Sequence, residues 1–524
     1  MARNLKDIIE ESKILKKGKE KIFSIIFSRS TFVVLLLLFN FFLLFSFLLG
    51  LWEGIPVFMG SMVAFTAMML VRVLNTDDNP TVKLSWCILI GILPVFGAAL
   101  YSFVRSDAGH RILKKRVNQA IEESLPHVPE QNELYEKLRS EDRDFYNLAC
   151  YLKNSANAAL YSGSGIQYFP LGEEKFEEML WQMEAAEKFI FLEYFAIGPG
   201  YMWGKILDVL QCKANEGVEV RVLYDGTCSI ASLPADYPRQ LQKLGIRCAV
   251  FSPVRPFVST HYNYRDHRKI LIIDGHTAFT GGVNLEDRYI NREEVYGHWK
   301  DTAVMVQGEA ARGFTLLFLQ QWNAATREHI FEPYLISKSV SAEGYVIPYG
   351  DGPNTPEQVG KMVYLNILNQ AKDYVCIMTP YLILDSEMVS ALRFAAKRGV
   401  DVKLILPHIP DKKYAFALAK SHYKELLEAG VKIYEYTPGF VHAKVFLCDD
   451  IHAVVGTINL DYRSLYLHYE CAAYLYKVAA LEDIKKDFQR TLAKSQSVTM
   501  EDVKKQSLLS RFMAALLKVL APLM

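Results

Sequence analysis

The 524-residue chain has few of the features that staple small secreted domains. Its eight cysteines (Cys87, Cys150, Cys212, Cys228, Cys248, Cys376, Cys448 and Cys471) form no CxxC pair, and no histidine is spaced to complete a tetrahedral zinc site. A structural zinc is excluded on that ground. Thiols so scattered read as reduced side chains rather than a disulfide framework, and they place the folded part in a reducing compartment. Net charge is also missing: 59 Lys and Arg against 58 Asp and Glu leave +1, without the basic excess of a nucleic-acid binder. With 51% apolar and 22% charged residues, global disorder is excluded too. The length allows two to four domains.

The apolar residues are unevenly placed. Thr31 to Trp52 is a 22-residue stretch without a charge, and about 20 apolar residues suffice to cross a bilayer as a helix. Two further uncharged stretches follow, Gly54 to Val71 and Leu84 to Val104, the latter with Trp86 and Tyr101 near its ends. The expected layout is a basic tail over 1–30, a membrane region over 31–104 with candidate spans 31–52, 54–71 and 84–104, and a basic connecting segment over 105–140. Basic residues flank both ends of the membrane region, so the positive-inside rule wants both flanks cytoplasmic, which three full crossings cannot give. Either one stretch, the middle one by preference, is re-entrant or interfacial, or the C-terminal part is translocated. The first alternative is preferred, and it puts a multi-pass protein in the cell membrane with its catalytic part in the cytoplasm.

Beyond residue 125, β-branched runs alternate with helical patterns, the sign of an α/β fold. The run from Cys212 to Leu223 reappears from Phe394 to Ile405, with Gly217 matching Gly399; each reads as a helix stopped by glycine and followed by a strand. Upstream, Phe189–Tyr194 aligns with a strand beginning at Val375, and downstream Gly245 aligns with Gly430. The expected repeats are 141–335 and 336–500, followed by an amphipathic tail over 501–524 that either lies in a lipid interface or packs on the core.

The two copies share their chemistry. His267, Lys269, Asp274, Gly281 and Asn284 recur as His442, Lys444, Asp449, Gly456 and Asn459, all at an offset of 175. One HxKxxxxD is weak evidence, whereas two in register inside a wider repeat are strong. On a strand, residues i and i+2 share a face, so each His points with its Lys. Asp274 and Asp449 have the opposite parity and precede turn-like residues, so they brace the turn. Gly282, Asn284, Thr457 and Asn459 offer close backbone approach and polar side chains to phosphate oxygens.

Two copies packed about a pseudo-two-fold axis bring two His, two Lys and two Asn to one point. One imidazole then attacks phosphorus while the other protonates the leaving alkoxide. Lysines supply the positive charge that Mg²⁺ gives elsewhere, so neither metal nor other cofactor is expected. Each imidazole needs a carboxylate to fix its tautomer; the candidates are Asp301 and Glu470, both just before strands. Arg288 and Arg463 also align, either as phosphate ligands or as braces, while His261, His298, His408 and His468 fall outside the pattern.

These residues resemble the phospholipase D superfamily, and the whole chain resembles its bacterial cardiolipin synthases. The resemblance is carried by the paired HxKxxxxD with Gly-x-x-Asn, by Pro438–Lys444, by Asn459–Ser464, by Thr379–Leu382 and by Asn79-Pro80 leading into the third apolar stretch. It implies two phospholipase D-like α/β units with the site between them, preceded by transmembrane helices. It also implies transfer of a phosphatidyl group from one phosphatidylglycerol to another, giving cardiolipin and glycerol through a phosphohistidine. Family habit makes His267 the nucleophile and His442 the acid then base, although the sequence symmetry leaves the swap open. Partners are then phosphatidylglycerol and cardiolipin in the membrane, with no nucleic acid. A phospholipid hydrolase or phosphatidylserine synthase of the same superfamily is the alternative. Departures from the pattern are Gly282 where relatives carry Ser, Thr457, and His468 where relatives often have Asn.

Overall fold

The computed structural model describes residues 38, 45, 55–106, 111–228, 232–253, 264–336, 338–355 and 357–523. The chain divides into two compact units: one takes in residues up to Ile112 and those from Ala515 onward, the other Leu113–Pro253 with Asn263–Ala514.

In the first unit, α1 (Ile55–Leu74) covers the second apolar stretch, with side chains described from Gly60. The third stretch was expected to be one span, and here the structure corrects the sequence reading. It forms two 13-residue helices, α2 (Pro80–Ile92) and α3 (Pro94–Ser106). Pro94 has no N–H to donate and its ring clashes with the preceding turn, so the helix breaks at Leu93. The chain folds back there, and Trp86 meets Tyr101 edge-on with ring centroids 5.3 Å apart. Gly97 permits the approach, because a Cβ at that position would come within 2.8 Å of Ile90 Cα. Thirteen residues span only about 20 Å at 1.5 Å each, short of the roughly 30 Å hydrocarbon core. Among the described residues no helix is long and apolar enough to cross a membrane. The candidate span 31–52 and the basic tail 1–30 lie outside the described residues, apart from Leu38 and Phe45.

The second unit holds the duplication. Its strands are β1 (Ser164–Phe169), β2 (Phe189–Tyr194), β3 (Glu219–Asp225), β4 (Arg247–Phe251), β5 (Lys269–Ile273), β6 (Thr277–Gly281), β7 (His298–Lys300) and β8 (Ala303–Gly308). The second set is β9 (Tyr345–Asp351), β10 (Tyr374–Met378), β11 (Asp401–Pro407), β12 (Lys432–Tyr436), β13 (Gly439–Val441), β14 (Val445–Cys448), β15 (His452–Gly456), β16 (Glu470–Tyr476) and β17 (Ser495–Ser497). The first sheet runs β4-β3-β2-β5-β6-β8-β1 and the second β12-β11-β10-β14-β15-β16-β9 with β17 added at the edge, so the two copies have one topology. Parallel pairing of β2 with β3 and of β10 with β11 follows from the crossover helices Tyr201–Asn215 and Ser386–Lys397. Each of these helices is followed by a glycine at positive φ, Gly217 and Gly399, at +95° and +98°.

The register differs by one residue from the sequence alignment. Phe189 pairs with Glu219 and Tyr374 with Asp401, so Phe189 corresponds to Tyr374 rather than to Val375. Strand β2 is buried along its whole length and β10 nearly so; a strand covered on both faces has no polar–apolar alternation to fix its register.

Candidate active site

Neither catalytic-motif histidine lies within a strand. Strand β5 begins at Lys269 and β14 at Val445, and the extended residues before them pair with the other repeat. The His267 N–H donates to the Tyr469 carbonyl at 2.9 Å, and the His442 N–H to the Lys300 carbonyl at 2.7 Å. Strands β7 and β13 pair in parallel alongside. The repeats are thus stitched together at the motifs themselves.

The carboxylates are exchanged between repeats. His267 Nδ1, from the first copy, lies 2.9 Å from Glu470 Oε1 of the second. His442 Nδ1 lies 2.7 Å from Asp301 Oδ2 of the first. A carboxylate on Nδ1 leaves Nε2 for chemistry, and both rings line one cavity of about 380 Å³. Glu470 is held by the Thr457 hydroxyl, which donates to Oε2. Asp301 Oδ1 accepts from the Thr302 N–H at 2.8 Å, and a Cβ on Gly282 would stand 2.0 Å from that same oxygen. The structure thus sets Thr457 and Gly282 against the two carboxylates.

The lysines sit behind the rings. Lys269 Nζ donates to the His267 carbonyl at 2.6 Å; Lys444 Nζ donates to the His442 carbonyl and lies 2.9 Å from His442 Nδ1. Burial lowers Lys269 to about 8 against the pull of Glu470 and Asp301, and burial with Lys269 nearby lowers Lys444 to about 7. Burial and Lys444 bring His442 down to about 3, and burial with Lys269 and His468 takes His267 well below the usual imidazole range. Both shifts favour the neutral ring in the empty cavity. The carboxylates differ: burial alone would raise Asp301, yet His442, Lys444 and the Thr302 N–H hold it below the usual range. Burial pushes Glu470 well above that range, against Lys269 and the Thr457 hydroxyl.

Asn459 lines the cavity, and its Oδ1 has no hydrogen-bond partner among the described residues. Asn284 lines it as well, but its Oδ1 accepts from the Ala196 N–H at 3.2 Å and its Nδ2 donates to the Tyr289 hydroxyl at 2.7 Å. Asp274 and Asp449 lie at the far ends of β5 and β14, roughly 16 Å along the strand from each lysine. Asp274 accepts from the N–H groups of Glu187, Lys188 and Phe189 at 2.7–2.8 Å, and Asp449 from those of Lys372, Asp373 and Tyr374 at 2.8–3.0 Å. Both aspartates have φ of 52°, in hairpin turns of the left-handed type.

The motif did not point to the aromatic wall. Tyr289 and Trp299 pack on His442 with centroids 5.4 and 5.3 Å away, and Phe440 at 5.9 Å. Phe195 and His468 pack on His267 at 5.0 and 5.6 Å. Arg288 and Arg463 also line the cavity; Arg288 is paired with Glu286 at 2.5 Å and lies over Trp299. The ligating atoms of His267, His468 and Glu470 lie within 4.8 Å of one another, the one group among the described residues able to hold a metal.

The chain is similar to known proteins over most of its length. Residues 179–313 and 364–492 match the family described as cardiolipin synthase, PLD-like domain, and residues 64–105 match a phospholipase D-nuclease N-terminal region. An uncharacterized protein of Streptococcus mutans is 53% identical over 86% of this chain and 98% of its own. A cardiolipin synthase of Alkalihalophilus pseudofirmus is 34% identical over 86% of this chain and 90% of its own. In fold, the phosphatidylserine synthase of Haemophilus influenzae superposes with a TM-score of 0.55 at 16% identity, covering 73% of this chain and 98% of its own. With its two repeats matched and its relatives aligned nearly end to end, the chain belongs to the cardiolipin synthase family of phospholipase D-type phosphatidyltransferases.

Proposed function

We propose that this enzyme joins two phosphatidylglycerol molecules into cardiolipin and glycerol at a lipid surface. The observation that carries the reading is the exchange of carboxylates: two imidazoles, each fixed through Nδ1 by the opposite repeat, line one cavity. His267 Nε2 attacks phosphorus, and the N–P bond forms as the P–O bond to glycerol breaks. His442 enters this step as the imidazolium, its charge balanced by Asp301, and gives its Nε2 proton to the departing alkoxide. The free hydroxyl of a second phosphatidylglycerol then attacks, His442 takes its proton, and the N–P bond breaks as the new ester forms. The division of roles rests on the carboxylates. Asp301, held ionised, suits an imidazole that must alternate with imidazolium, and Asp301 belongs to His442.

Water competes at the second step, at about 55 M, unless the site disfavours it. The aromatic wall of Tyr289, Trp299 and Phe440 beside His442 supports such exclusion. Apolar side chains exposed at Val63, Met68, Leu84 and Ile92, and at Leu508, Leu509 and Phe512 of the helix Leu508–Leu520, support action at a lipid surface. The test is to incubate purified protein with phosphatidylglycerol alone, and with added serine or glycerol, and to identify the lipids formed. Cardiolipin is expected, with synthesis lost in His267→Ala and His442→Ala and trapped phosphate label on His267. Phosphatidic acid or phosphatidylserine as the main product would reject the reading.

A further inference from the structure

Because the repeat doubles the His, Asn and Arg that line the cavity, the positions where the copies differ are where the two halves acquire different tasks. Two residues before each carboxylate stand Trp299 and His468, a step that keeps a side chain on the same face of an extended chain. Trp299 packs on His442 and His468 on His267, at nearly equal centroid distances of 5.3 and 5.6 Å. One catalytic imidazole therefore faces an indole, the other a second imidazole.

His468 is only 8% exposed, lines the cavity, and has no hydrogen-bond partner on either ring nitrogen among the described residues. Buried polar atoms are almost always paired, and one left unpaired on a cavity wall calls for an explanation, such as a partner atom on a bound substrate. Its nearest anion, Glu470 Oε1, stands 3.9 Å from Nδ1 and already holds His267. Arg463, Lys269, Arg265 and Lys412 all act on the ring electrostatically, so the surroundings favour an anion there. The first half-site also lacks a free amide, because Asn284 is engaged at both ends.

We propose that His468 donates its ring N–H to a non-bridging oxygen of the phosphoryl group that His267 attacks, making this half of the cavity the phosphoryl-holding half. The proposal rests on the phosphoryl-transfer reading of the site and adds to it a substrate contact that the repeat does not duplicate. No bond to His468 forms or breaks, and its proton stays on the ring.

Orthovanadate, a tetrahedral oxyanion, probes this contact without any acceptor alcohol. Its affinity is measured by calorimetry on the full-length protein in detergent, for wild type, His468→Phe and His468→Asn. His468→Phe is expected to weaken binding tenfold or more, the usual effect of losing one hydrogen bond to a charged oxygen. His468→Asn, which keeps a donor, should stay within about threefold of wild type. On phosphatidylglycerol, kcat should fall in His468→Phe and recover in His468→Asn. Unchanged vanadate affinity in His468→Phe overturns the proposal, and His468→Leu repeats the measurement should the phenylalanine variant not fold. A wild type that does not bind vanadate overturns it as well. If wild type makes no cardiolipin but vanadate affinity still drops in His468→Phe, the lipid-joining reading fails and this contact stands.

Discussion

Lys269 and Lys444 are the residues through which pH acts most directly on the site. They are fully buried, and burial makes the ammonium form costly, so their values fall to about 8 and about 7. A lysine with a depressed value is charged below that value and neutral above it. In the free enzyme the pair therefore loses positive charge as pH rises through 7 to 8, and with it the attraction for a phosphodiester. An anionic phosphoryl group in the cavity restores the charge and moves the titration upward. The expected outcome is that kcat/KM declines above about pH 7 while the alkaline limb of kcat lies at higher pH, since the two report free and bound enzyme respectively. Initial rates over pH 6–10 check this; a kcat/KM level to pH 10 would show that the lysines keep their charge in the empty site.

At the scale of elements, the paired Asp residues hold strand ends together. Three N–H groups converge on each, but those around Asp274 are more buried than those around Asp449. Water replaces a lost acceptor only for exposed donors, and an orphaned buried donor costs about 1–3 kcal/mol. Asp274→Ala should therefore cost roughly 2–3 kcal/mol and Asp449→Ala about 1 kcal/mol, seen as a larger fall in Tm for the first with the pH–rate profile of both unchanged. An altered profile with an unchanged Tm would put these carboxylates in the chemistry. The helix–glycine–strand units and the duplicated His, Lys, Asp and Asn were legible because local pattern and a fixed offset encode them. The break at Pro94 was also written in the sequence, but a search for uncharged runs passes over a proline. The one-residue slip between Phe189 and Tyr374 was not legible, since strands apolar on both faces look alike in either register. Nor did the offset reach Trp299 and His468: they keep their distance from Asp301 and Glu470, which are 169 rather than 175 residues apart.

At the scale of the whole molecule, neither repeat holds a complete half-site. The carboxylate that orients each imidazole comes from the other copy, and no pattern local to one repeat could announce the crossing. The crossing makes a specific demand on two substitutions far apart in sequence. Asp301→Asn acts on His442, which must protonate the leaving alkoxide; Glu470→Gln acts on His267, which must attack. On phosphatidylglycerol both should lower kcat by about ten-thousandfold, as loss of the carboxylate behind a catalytic imidazole does elsewhere. A phosphatidyl ester of p-nitrophenol needs no proton on its leaving group, so the first step no longer calls on the acid. The burst of nitrophenol should then return close to wild type in Asp301→Asn and remain slow in Glu470→Gln. Recovery in Glu470→Gln alone would exchange the roles of His267 and His442. Equal recovery in both would mean that the carboxylates serve folding rather than the two separate proton and phosphorus tasks that their crossing assigns them.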